Sequence, residues 1–175
     1  MAILQDALCR LFKAVQKGDA EEIKQVSADA ARDALVHDDA EIVEVSLVAY
    51  SIYKMGQKPY IRHSKEWAAF LQDLQEELLE CSEDGDAPRT VHRLMERIHQ
   101  LSQRFGRFAQ STVEKARLKA AAQMYAHGAS LAKAVQLSGA PLSEAAAYIG
   151  GTKIAEKYET MSIPTRMERT RRLFV

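Results

Sequence analysis

The chain has 175 residues, 47% of them apolar and 27% charged, which is enough to bury one good core, or one core plus a small appended module, and excludes a disordered polyelectrolyte. Its formal net charge of zero is a cancellation: residues 1–88 hold 9 Lys+Arg against 18 Asp+Glu, net −9, and residues 89–175 hold 15 against 6, net +9. No apolar run reaches the roughly 20 residues of a membrane helix, and the start, MAILQDALCRLFKAVQKGD, reads as an amphipathic helix rather than a signal-peptide core, so the expected location is cytoplasmic with no membrane partner.

Taken in chain order, Ile3, Leu4, Leu8, Leu11, Phe12 and Val15 recur at helical spacing and predict a helix over residues 2–17, stopped by Gly18. Asp19 caps a second helix, with Glu22 in the capping-box position and one apolar face of Ile23, Val26, Ala30 and Ala34. The segment from Asp39 to Met55 is apolar nearly all round, which suits a central helix buried on several sides. Its IVEVSLV core has strand character too, but no second β-rich run exists to pair with it.

After a break at Gly56 to Pro59, Ser64 caps a helix whose stripe is Trp67, Leu71, Leu74 and Leu78. CSEDGDAP, Cys81 to Pro88, reads as an acidic loop, and Val91, Leu94, Ile98, Leu101, Phe105 and Phe108 then form the seam of a helix packed inside the monomer. Gly106 interrupts that helix, and Ser111 with Glu114 offers a fresh capping box.

Between Arg117 and Gly151 three short helices fit: one ending at His127 and Gly128, one from Leu131 to Leu137, and one from Leu142 to Ile149. Ser138, Gly139 and Ala140 make the turn between the last two, Pro141 suits the first turn of the third, and Leu131, Ala134, Val135, Leu142, Ala145 and Ile149 are expected to face inward. This is the organisation of a helix-turn-helix unit. Beyond it, Pro164, Thr165 and Glu168 start a last helix in a basic tail. The expected fold is therefore all-α, with an acidic helical bundle over 1–108, a helix-turn-helix-like module over 109–151 and a basic helical tail over 152–175.

Catalytic and metal constellations are sparse. There is no phosphate-cradling Gly-rich loop, Gly-x-Ser-x-Gly elbow or His-Glu-x-x-His pair. His92, Glu96 and His99 share one helix face, but a second Glu-x-x-His is missing and Arg93 and Arg97 add positive charge, so a solvated polar face is expected there. Cys9 and Cys81 lie far apart without ligand spacing, which argues against a disulfide framework or zinc site. No catalytic residue, cofactor or metal is expected.

Leu118-Lys119-x-Ala121, Met124-Tyr125, Gly128-x-Ser130-Leu131-x-Lys133-Ala134-x-x-Leu137-x-Gly139 and Leu142-x-Glu144 with Tyr148-Ile149 together resemble a family of small prokaryotic, often archaeal, helix-turn-helix proteins. That family is regarded as antitoxin-like, partnering PIN-domain ribonuclease toxins. The resemblance implies a small DNA-binding regulator that also binds a toxin.

The residues expected to meet nucleic acid are Lys133, Gln136, Ser143, Lys153, Arg166, Arg169, Arg171 and Arg172, holding phosphates more than bases, because the third helix lacks Arg, Asn or Gln for bidentate base contacts. The function expected is a DNA-binding, antitoxin-like regulator. The alternative is a helical protein–protein interaction adaptor that binds no nucleic acid, with the bundle serving a protein partner or a homodimer. A further alternative for the charge asymmetry is that the two halves neutralise each other.

Overall fold

The computed structural model describes residues 2–84 and 86–152, with the side chains of 3–79, 86–106 and 111–152. Helix α1 (Ala2–Lys17) buries Leu4, Leu8, Leu11 and Val15. Gly18, at φ +65°, lets its own N–H reach Val15 O and that of Asp19 reach Ala14 O, closing the helix. The Asp19 carboxylate then accepts from Glu22 N at 3.0 Å and opens α2 (Ala20–His37). The capping box is one-sided: Asp19 N–H is already bonded to Ala14, and the Glu22 carboxylate lies 3.4 Å from Arg10 on α1 instead.

Helix α2 ends at Asp38 in the left-handed region, and Asp39 accepts from Glu41 N and Ile42 N to start α3 (Ala40–Gly56). This central segment is helix, not strand, and Ile42, Val43, Val45, Leu47, Val48 and Ile52 are all buried. Residues pointing in nearly every direction are covered because α1, α2, α6 and α7 all pack on it. The α2–α3 crossing is close because its contact residues are small. Ser27 Oγ donates to Ser46 O at 2.9 Å and Ser46 Oγ donates to Ser27 O at 2.7 Å, so two buried hydroxyls are satisfied across the interface.

The break after α3 holds a single turn, α4 (Pro59–Arg62), and Ser64 accepts from Trp67 N at 3.1 Å to begin α5 (Lys65–Asp84). The acidic segment expected as a loop from Cys81 to Pro88 is mostly helix: α5 continues to Asp84, and α6 (Ala87–Arg104) begins immediately after Asp86. Asp86 accepts from Arg89 N and Pro88 needs no donor in a first turn, so a two-residue break suffices where composition suggested eight. Val91, Leu94, Ile98 and Leu101 of α6 are buried as a seam within the chain.

Gly106, at φ +69°, turns the chain into α7 (Arg107–Ala126). Ser111 and Glu114 therefore do not cap a helix start; they lie inside α7, because the glycine upstream already supplies the break. Helix α7 packs on α2, α3 and α6 as well as on α8 (Leu131–Ser138) and α9 (Leu142–Gly151). One continuous core runs from Leu4 to Ala145, so the acidic and basic halves share their packing. The described residues are all-α with no strand, and no helix among them is long and apolar enough to cross a membrane. The expected tail helix, starting at Pro164 and ending in Leu173 and Phe174, lies outside the described residues, as do Lys153, Arg166, Arg169, Arg171 and Arg172.

Candidate interaction site on the helix-turn-helix unit

Helices α7, α8 and α9 adopt the expected three-helix arrangement. His127 closes α7, its N–H donating to Gln123 O, and Ser130 Oγ accepts from Lys133 N at 3.2 Å to start α8. Gly139 ends α8 at φ +65°, and Ser138 Oγ accepts from Ala140 N at 3.2 Å, fixing the turn that Pro141 carries into α9. The turn is thus held by an αL glycine, a serine hydroxyl and a rigid proline, each local in sequence.

Inward packing of α9 is slighter than its pattern suggests. Ala145 is its buried residue and Tyr148 and Ile149 are half-buried, whereas Leu142, expected inside, is 56% exposed. Leu142 stands in the first turn of α9, three residues ahead of Ala145, the residue of this helix that joins the core. The outward face of α9 consists of Leu142, Ser143, Glu144, Ala146, Ala147 and Gly150.

Of the described residues expected to meet phosphates or bases, Gln136 and Ser143 are exposed, but Lys133 is not at liberty. Its ammonium is paired with the carboxylate of Asp38 at the end of α2. The same pattern recurs elsewhere. Arg97 of α6 bonds Glu77 and, at 2.7 Å, Asp73 of α5, while His92 and Arg117 lie close enough to Glu44 of α3 to favour its charged form. Arg97 and Lys133 are thus paired with carboxylates of the first half, and Arg117 lies near one, so part of the charge asymmetry is neutralised within the fold.

His92, Glu96 and His99 sit on an exposed face of α6, with His92 Nε2 3.5 Å from Glu96 Oε1. Among the described residues no group of three His, Cys, Asp or Glu side chains is placed to hold a metal ion. Cys9 is a half-buried free thiol.

A second feature escaped the sequence. A cleft of about 450 Å³ opens between α2, α3, α7 and α9, floored by Ser27, Ala28, Ser46 and Ala120. These small residues leave space that larger ones would fill. Tyr50, Tyr53 and Tyr148 stand along its walls, with Lys24, Lys54 and Lys119 around them and Glu21 paired to Lys24 at 2.7 Å. Lys54 Nζ lies 5.2 Å from the Tyr53 ring centre and 5.9 Å from that of Tyr50; Lys24 Nζ lies 5.7 Å from Tyr53. Burial, then the neighbouring Tyr148 and Tyr53, push the Tyr50 hydroxyl up to about 12, so it stays protonated through the physiological range.

Compared with protein-family models, with curated proteins and with solved structures, the chain matches none.

Proposed function

We propose that this chain is a helical interaction adaptor whose helix-turn-helix unit presents α9 to a partner protein rather than to a duplex. The observation that carries this reading is the chemistry of the α9 outward face: Leu142 is 56% exposed beside Ala146, Ala147 and Gly150, while Lys133, the nearest candidate phosphate contact, is held by Asp38. A helix face that is small and apolar suits an apolar groove on another protein. A duplex-reading helix needs donors for base edges and free cations for phosphates, and this face offers Glu144 and Ser143. The resemblance of residues 117–151 to antitoxin-like proteins makes a PIN-type ribonuclease the first partner to test.

A DNA-binding regulator is the second reading, favoured by the α8–turn–α9 geometry and by the net +9 of residues 89–175. The two separate in one pair of measurements. Titration of labelled duplex at about 50 mM salt is expected to give no binding, whereas a backbone-driven binder registers there and weakens steeply as salt rises. Calorimetry with a PIN-type ribonuclease is expected to show a complex that Leu142→Glu abolishes without lowering the thermal midpoint. Salt-sensitive duplex binding, with the complex absent, overturns the adaptor reading.

A further inference from the structure

The cleft between α2, α3, α7 and α9 contains an unanswered polar group. Gln123, on its α7 wall, is only 6% exposed, yet its Oε1 is buried with no hydrogen-bond partner. A buried acceptor without a donor costs stability, and so in a native fold calls for an explanation. The nearby Ser27 and Ser46 hydroxyls do not supply one, since each is committed to the opposite helix backbone.

Three further observations bear on what would satisfy it. The space, about 450 Å³, falls in the range of small-molecule sites and exceeds what one inorganic ion would fill. Lys24 and Lys54 converge on the single ring of Tyr53, and among the described residues no carboxylate is bonded to Lys54. Lys54 is thus set to meet an anion at the mouth, whereas Lys24 beside it is already paired with Glu21. Half-buried tyrosines supply flat apolar wall, Tyr50 from α3 and Tyr148 from α9, and both hydroxyls are held in the protonated, donating form by burial.

We infer that this cleft binds a nucleoside monophosphate, with an N–H of the base donating to Gln123 Oε1, the base against Tyr50 and Tyr148, and the phosphate at Lys54, beside the Lys24–Glu21 pair. An anion alone leaves Gln123 unanswered, and a neutral planar molecule leaves Lys54 unanswered; a nucleotide carries both groups on one frame of suitable size. Since Tyr148 belongs to α9, a bound nucleotide bridges α9 to α3. The site stands or falls separately from what the outer face of α9 docks.

The test is calorimetric titration and thermal unfolding of the full chain with AMP, GMP, CMP and UMP, alongside inorganic phosphate and the free nucleosides. At least one nucleotide is expected to saturate the chain below about 1 mM and raise its thermal midpoint, with its nucleoside and inorganic phosphate each weaker by about tenfold or more. Gln123→Leu is expected to lower nucleotide affinity about tenfold while raising the midpoint of the free protein, because it removes the unpaired acceptor. Lys54→Gln, on the rim, is expected to weaken binding and flatten its salt dependence, and Lys13→Gln on α1 to change neither. The inference is overturned if no nucleotide shifts the midpoint, if inorganic phosphate binds as tightly as the best nucleotide, or if Gln123→Leu binds as well as the parent.

Discussion

Lys133 of α8 and Asp38 at the end of α2 form an ion pair across 95 positions of sequence, tying the helix-turn-helix unit to the acidic half. Asp38 also adopts φ 53°, ψ 43°, and its N–H donates to Ala34 O to close α2. The residue thus combines a conformation that suits glycine with a side chain that glycine lacks. Asp38→Ala keeps the strain and loses a largely exposed pair, and is expected to cost up to about 1 kcal/mol. Asp38→Gly relieves the strain as it loses the pair, and is expected to be close to neutral by urea unfolding. Asp38→Gly also releases Lys133. A duplex affinity that appears in both variants and not in the parent would mean that the pair masks a nucleic-acid contact.

Gly139 gives a second prediction. At φ +65° it requires the left-handed region, but a Cβ there would meet only Arg117 atoms at 4.0 Å, an ordinary contact. Strain alone should then set the effect of Gly139→Ala, about 1–2 kcal/mol, and Gly139→Asn should recover part of it because Asn tolerates this region. Equal losses for Ala and Asn by thermal unfolding would show that side-chain volume governs the turn.

The elements legible in the sequence are those whose cause is local. Asp19 and Ser64 each cap the helix that their position predicts, and Gly106 and Gly139 break the chain where they stand. Composition misled at Cys81 to Asp84, where polar residues extend a helix, and at Leu142, an apolar residue expected inside that stands exposed. Long-range relations left no local trace. Nothing near Lys133 announces Asp38, and the Ser27, Ala28, Ser46 and Ala120 floor reads in sequence as close helix packing, although around Ala28 and Ala120 it leaves a cleft. The one local signal was Tyr50, Tyr53 and Lys54 spaced three and four apart on α3, two aromatics and a cation sharing one stripe.

Arg97 provides a third prediction, on the α5–α6 interface. It bonds Glu77, whose side chain is 8% exposed, and Asp73 at 2.7 Å. Arg97→Met leaves the Glu77 charge nearly buried without its partner. Because Arg97 is itself 37% exposed, water compensates in part, and the loss expected is about 1–3 kcal/mol rather than the full value for a sealed pair. Glu77→Leu combined with Arg97→Met should recover most of that loss by removing the stranded charge. A double variant as unstable as Arg97→Met alone would place the effect in packing of the arginine stem.

Glu44 gives the fold a pH dependence of definite sign. Its carboxyl lies above the usual value of 4.5, chiefly because burial disfavours the charge; Glu41 pushes the same way, and His92 and Arg117 oppose it. A carboxyl raised by folding binds its proton more tightly in the folded chain than in the unfolded one, so stability attributable to it falls as pH rises. Its burial carries no penalty below about the unfolded value, and the penalty grows as pH climbs through the folded value and then stays constant. Glu44→Gln holds the neutral form at every pH and keeps nearly the same shape. The variant is therefore expected to unfold at a higher temperature than the parent at pH 7, with the gap shrinking toward zero as pH is lowered below the carboxylate range. If Glu44→Gln proved less stable than the parent at pH 7, attraction to His92 and Arg117 would outweigh burial, and the Glu44 contribution would instead rise with pH.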